Sequence, residues 1–106
     1  MSILKTFVAV DLETTGLSPK ISEILEIGAF KIQNGHATDQ FQSYLKPIGS
    51  IPEEIVRLTS ISEKTVLTAP QPETVLENFL EFTDGLPLIT YQGRFEAQFL
   101  AAFSKL

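Results

Sequence analysis

Residues 6–16 read Thr-Phe-Val-Ala-Val-Asp-Leu-Glu-Thr-Thr-Gly, and the fold is decided by how this stretch is read. Val8, Val10 and Leu12 alternate with Phe7, Ala9, Asp11 and Glu13. That period of two, with β-branched residues suited to a pleated buried surface, describes a strand. Side chains two apart on a strand share a face, so Asp11 and Glu13 point the same way. Two carboxylates so placed repel, and burying them unpaired is costly. A divalent cation, or a pair of them about 4 Å apart, would turn the repulsion into a site for phosphodiester hydrolysis. The same spacing also occurs where acids merely cap a strand at its solvent edge. Thr14, Thr15 and Gly16 close the strand, and a glycine there lets backbone approach a ligand closely.

Moving outward, Leu17 to Ser22 reads as a loop, and Glu23 to Gln33 as a second strand. Its run Ile24-Leu25-Glu26-Ile27-Gly28-Ala29-Phe30 is nearly all apolar, the pattern of a strand covered on both faces, with Glu26 the odd member. Asn34-Gly35 predicts a type I′ hairpin, followed by a third strand over about 37–45, antiparallel to the second. His36 just after the turn reads as an exposed turn histidine. Ser50-Ile51-Pro52-Glu53 resembles a capping box with Ser50 as N-cap, opening a short helix that carries Ile55, Val56 and Leu58 inward. The pattern repeats from Ser60 to Glu63 and leads to a second short turn toward Val66. Pro70 and Pro72 introduce a longer helix with Val75, Leu76, Phe79, Leu80 and Phe82 at helical spacing, stopped by Asp84-Gly85. Leu86 to Tyr91 is a fourth strand, broken by Gly93, and a helix runs from Arg94 to about Ser104.

That last helix holds a second chemical feature. At about 100° per residue, Phe95, Phe99, Phe103 and Leu100 fall at about 0°, 40°, 80° and 140°, and Glu96 at about 100°, inside the apolar arc. A carboxylate there is either metal-bound, paired with Arg94 or a lysine, or snorkelling to the edge of the arc.

Composition sets bounds. The chain has 106 residues, 43% hydrophobic with eight Phe, which suits one packed domain and argues against disorder. Cysteine is absent, which excludes a disulfide framework, a thiolate metal site and a thiol nucleophile and fits a reducing, cytoplasmic location. No N-terminal run is long and apolar enough for a signal peptide or membrane span. The net charge is −5 and the eight basic residues are scattered, so strong non-specific nucleic-acid binding by this chain alone is not expected.

The full string Asp11-Leu12-Glu13-Thr14-Thr15-Gly16-Leu17 after an apolar strand closely resembles the first motif of the DnaQ-like, or DEDD-type, 3′–5′ exonucleases. The order of features that follows also resembles that family: two strands around Asn-Gly, Ala69-Pro70, a strand, then Phe95-Glu96 with Phe99-Leu100. The resemblance implies an α/β, RNase H-like mixed sheet with flanking helices. It implies that Asp11, Glu13 and Glu96 are catalytic and hold Mg²⁺ or Mn²⁺, with Thr14, Thr15 and Gly16 binding substrate, the 3′ end of a single-stranded nucleic acid. Such domains serve as polymerase proofreading subunits or are fused to DinG-type helicases, so a polymerase or helicase partner or fusion is implied.

Several positions depart from the family pattern. Glu96 stands where the family has aspartate, Tyr91-Gln92 where it has His-Asn, and Leu58-Thr59-Ser60-Ile61 where it has Leu-Thr-Gly-Ile. The third motif, with its catalytic histidine and fourth acid, has no counterpart, because His36 is the only histidine. The expectation is a partial exonuclease domain over 1–106, C-terminally incomplete, with weak metal binding and undetectable hydrolysis by this chain alone. The alternative is a non-catalytic interaction or nucleotide-binding module that kept the fold. The expected sheet has the first strand beside and parallel to the fourth. The three acids should converge to about 4–8 Å. Uncovered apolar surface should favour self-association, or exchange of the last helix between copies.

Overall fold

The structure, a computed structural model, describes residues 5–90 and 94–105. Tyr91, Gln92 and Gly93 and the side chains of Arg94 and Phe95 lie outside the described residues. With them go the expected break at Gly93, the Tyr91-Gln92 pair and the place of Phe95 on the apolar arc. The elements run β1 (Thr6–Thr14), β2 (Ile24–Gln33), β3 (His36–Tyr44), α1 (Glu53–Thr59), α2 (Glu63–Val66), α3 (Pro72–Thr83), β4 (Leu88–Thr90) and α4 (Arg94–Phe103).

The four strands form one mixed sheet in the order β3-β2-β1-β4. β1 pairs antiparallel with β2, and β2 antiparallel with β3. Asn34 at φ 51° and Gly35 at φ 81° make the tight turn between the latter two, the two positive φ values a type I′ hairpin needs. β4 joins the far edge of β1 in parallel, pairing Val8 with Leu88 and Val10 with Thr90. The crossover carries the helices, as a parallel connection requires. This is the topology expected from the sequence.

The core follows from the alternation in β1. Val8, Val10 and Leu12 turn to one face and pack with Ile27 and Ala29 of β2, Val75 and Phe79 of α3, and Phe99 and Phe103 of α4. α3 starts with a proline in its first turn and ends at Asp84, φ 48°, followed by Gly85, φ 73°. Both residues relieve the chain reversal into β4.

β2 departs from the sequence reading. Its apolar run is not covered on both faces throughout: Phe30 is 45% exposed, opposite Ala9 on one side and Gln40 on the other. The run is apolar because it serves two cores. Glu13 pairs with Glu26 and Thr14 with Ile24, so Leu25 is an extra residue in the ladder, a β-bulge. Ile24 joins the main core, while Leu25 enters a second cluster with Ile51, Ile61 and Val66. That second cluster seats α1 and α2 beside the end of β1, where Asp11 and Glu13 lie.

The helix caps also differ from expectation. α1 has Pro52 as N-cap with no side-chain cap, so Ser50 lies two residues outside it. A proline disfavours helical geometry in the residue before it, so the helix cannot begin earlier than Pro52. The second box is real but centred on Ser62, whose hydroxyl accepts from Thr65 N while Thr65 accepts from Ser62 N. Ser60 instead ends α1 in the left-handed region at φ 63°, so the positive φ survives where the family has glycine. Leu58 is not inward but 78% exposed, on the face of α1 turned to the end of β1.

Candidate active site

β1 sets the site by its parity. Because Leu12 and Thr14 face the core, Asp11 and Glu13 face the opposite side of the sheet, Asp11 exposed and Glu13 half-buried. The ladder places Glu26 of β2 directly across from Glu13. Like charges in that position are destabilising. Gln42 on β3 donates from Nε2 to Glu26 Oε2 at 2.7 Å, which holds that carboxylate in place.

Glu96 arrives from the other edge of β1. Val8 N–H donates to Pro87 O at 2.8 Å, so the N–H groups two and four residues on, Val10 and Leu12, point to the same β4 edge. β4 pairs only as far as Val10. Beyond it Leu12 N–H donates to Glu96 Oε2 at 3.2 Å, so the carboxylate continues the ladder where the strand has stopped. Glu96 is 2% exposed. It therefore neither snorkels nor reaches solvent, and the wheel placement inside the apolar arc is correct. The electrostatics of the cluster register on Glu13, whose pKa is raised above the ordinary 4.5, first by burial, then by the negative charges of Asp11, Glu26 and Glu96.

These side chains open on a cleft of about 600 Å³. One lip is the turn after β1, Thr14 to Leu17; the other is α1, through Glu54, Ile55, Leu58 and Thr59. The floor is Asp11, Glu13 and Glu96. Thr14 is buried and its hydroxyl donates to Gly16 O at 2.7 Å, so the turn is braced from within. A Cβ on Gly16 would lie 2.6 Å from Ser22 Oγ, so the loop closes tightly on a residue without a side chain.

The donor set is all carboxylate oxygen, which suits a hard cation, and a cation would relieve the mutual repulsion felt by Glu13. The acids share one cleft but are not drawn onto a single point: among the described residues no three His, Cys, Asp or Glu side chains form a ready ligand group. His36 lies exposed at the start of β3, on the hairpin. Sequence reasoning missed Glu26 as a neighbour of Glu13, because the β1–β2 register cannot be counted across the loop. Its one signal was a lone charge in an apolar run. The α1 lip was missed too, since Leu58 reads as core until the bulge at Leu25 is seen.

Two acids near the end of β1, and a third on the helix that follows β4, the strand parallel to β1, give a mixed sheet with an acidic cleft, the arrangement that the resemblance to RNase H-like exonucleases implies. The chain belongs to the RNase_T exonuclease family, whose profile matches residues 8–105. It is 42% identical over 99 residues to the PolC-type DNA polymerase III of Caldanaerobacter subterraneus subsp. tengcongensis, covering 93% of this chain and 7% of the polymerase. The PolC-type polymerase of Thermotoga petrophila is 36% identical over 100 residues, 94% of this chain and 7% of that one. This chain thus corresponds to a small part of those polymerases. Among solved structures, the nuclease domain of 3′hExo, a DEDDh family member bound to rAMP, superposes with TM-score 0.81 at 22% identity, over 98% of this chain and 60% of that one. Exonuclease X in complex with 5′ overhanging duplex DNA gives TM-score 0.74 at 20% identity, over 87% and 52%. The RNase H-like fold and the 3′–5′ exonuclease family implied by the sequence are therefore established. No helix among the described residues is long and apolar enough to cross a membrane.

Proposed function

We propose that these 106 residues are the N-terminal part of a metal-dependent 3′–5′ exonuclease domain acting on the 3′ end of single-stranded nucleic acid. The observation that carries the reading is Glu96, a carboxylate from α4 buried at the end of β1 and acting electrostatically on Glu13. Burying a carboxylate near two other acids is costly, and a bound cation would offset that cost. In this reading Asp11, Glu13 and Glu96 hold Mg²⁺ or Mn²⁺, and the bound ions supply activation of water and neutralisation of the leaving oxygen. Asp11 and Glu13 have the exposure to turn toward a shared ion. The turn Thr14-Thr15-Gly16 brings backbone close to the substrate phosphate and sugar, and the apolar Leu17 and Leu58 flank the entry where a base would lie. The likeness to PolC-type polymerases supports association with, or inclusion in, a replicative polymerase, and so a cytoplasmic setting.

These residues bring no imidazole to the cleft, since the only histidine stands on the β2–β3 hairpin. An imidazole to take the proton from the attacking water is thus not supplied from within them. We expect nucleotide and metal binding but no measurable turnover from these residues alone. The test is a 5′-labelled single-stranded DNA incubated with Mn²⁺. Retention of full-length label together with Mn²⁺-dependent binding of the oligonucleotide supports the reading. A 3′-trimming ladder that disappears in Asp11→Ala would show that the histidine is dispensable. Absence of Mn²⁺-dependent binding would favour the non-catalytic module.

A further inference from the structure

We infer that Glu23 is a positioning residue that sets the width of the acidic cleft by tying together the two loops that form its lips; this rests on the exonuclease reading above. Glu23 follows the loop after β1, half-buried, and does not itself line the cleft. Both of its carboxylate oxygens are used. Ile48 N–H donates to Oε1 at 2.7 Å and Gly49 N–H to Oε2 at 2.9 Å. An ionised carboxylate receiving two backbone donors makes short, strong bonds of fixed direction.

The backbone of the same residue is tied the other way. Glu23 N–H donates to Thr15 Oγ1 at 2.9 Å, and Thr15 N–H donates to Glu23 O at 2.9 Å. One residue therefore joins Thr15, on the first lip, to Ile48 and Gly49, which lead through the buried Ile51 into α1, the second lip. Lys46 N–H donates to Pro70 O at 2.9 Å and anchors the start of the loop, but Ile48, Gly49 and Ser50 beyond it are exposed, Ile48 by 98%. The floor is independent of this tie, because Asp11 and Glu13 are fixed by the β1 ladder and Glu96 by Leu12 N–H. Removing the tie should let the lips drift apart while the acids stay in place.

That separation gives the test. Mn²⁺ alone reports the floor; AMP added at saturating Mn²⁺ reports the lips as well. Glutamine at 23 has the shape of glutamate but only one acceptor oxygen, so one of the two amides loses its partner. Glu23→Gln is expected to raise the AMP Kd about tenfold and to leave the Mn²⁺ Kd within about twofold, by calorimetry. Hydrogen exchange of the Ile48 and Gly49 amides should accelerate in the same variant. Gly49→Ala is the control: its Cβ would meet Glu23 Oε2 at 3.5 Å, an ordinary contact, and both constants should match wild type. Glu23→Asp keeps the charge but is one methylene shorter, and carries the same comparison if the glutamine variant does not fold. Faster amide exchange with unchanged AMP affinity would overturn the positioning role. So would equal losses of AMP and Mn²⁺ affinity, which mark a general structural part. Wild-type protein that binds Mn²⁺ but not AMP would instead remove the exonuclease reading, and the role of Glu23 with it.

Discussion

Replacing Glu96 by glutamine should make the metal-free protein more stable and the metal-loaded protein less so. Glu96 is 2% exposed and accepts from Leu12 N–H. Glutamine keeps an oxygen for that donor, and the loss from a charge-assisted to a neutral bond is about 1 kcal/mol. Against it stands the removal of a buried negative charge. Its charge is among those that raise the pKa of Glu13, and at an effective dielectric of about 20 the repulsion between like unit charges is on the order of 1–4 kcal/mol at short range. Desolvation of a buried ion adds further cost that the neutral amide avoids in part. The balance favours Glu96→Gln by about 1–2 kcal/mol, or about 4–8 °C in Tm for a domain of this size. Thermal and urea unfolding in EDTA at neutral pH measure it, and repeating them with Mn²⁺ should show that the stabilisation by metal has largely gone. Glu96→Ala removes the same charge but also leaves Leu12 N–H buried without that acceptor, a loss of about 1–3 kcal/mol, so it should be less stable than Glu96→Gln in EDTA. If Glu96→Gln is destabilised in EDTA as much as Glu96→Ala, the carboxylate is a structural acceptor and the reasoning fails.

Glu13 provides a pH test. Its folded-state pKa lies above the ordinary 4.5, so the native state holds that proton more tightly than the unfolded chain. Its contribution therefore disfavours folding at pH values above the raised pKa and fades as the pH falls through it toward 4.5 and below. Glu13→Gln should be more stable than wild type at neutral pH, with the difference closing on acidification; a difference that grows toward low pH would reverse the sign. Ser60 sits at φ 63°, so Ser60→Gly should gain about 0.5–1 kcal/mol in urea unfolding, and a loss would mean that the serine side chain is needed there. The open sheet face around Phe30 and Ile89, beside the short β4 edge, should cause mass to rise with concentration in light scattering, and Phe30→Asp should abolish the rise. A wild-type mass that stays monomeric across the concentration range would contradict this.

How much of this was legible before the structure depends on the range over which each feature is set. The strands β1 to β3 and the hairpin are local: alternation and Asn34-Gly35 suffice. The parallel β1–β4 pair follows from the length of the connection. Glu96 was visible because a helical wheel is also local, and a carboxylate among Phe99, Leu100 and Phe103 stands out. What escaped depends on distant register. The bulge at Leu25 exists only relative to β1, yet it divides the apolar run of β2 between two cores and turns Leu58 from a core residue into a wall of the cleft. The pairing of Glu13 with Glu26 is hidden for the same reason. The N-caps were misplaced because Ser50 and Ser60 offer the right chemistry, while Pro52 and the left-handed turn at residue 60 decide where the helices can begin and end. The tie made by Glu23 joins residues 25 and 26 positions apart and leaves no pattern in the sequence.

The central claim is that Asp11, Glu13 and Glu96 form one cation site. Calorimetric titration of Mn²⁺ into this chain and into Asp11→Ala tests it most directly. The site predicts weak but saturable binding by the wild-type chain, with affinity lowered at least about tenfold in the variant, because one of three oxygen ligands is gone. Equal binding by the two proteins, or none by either, would contradict it.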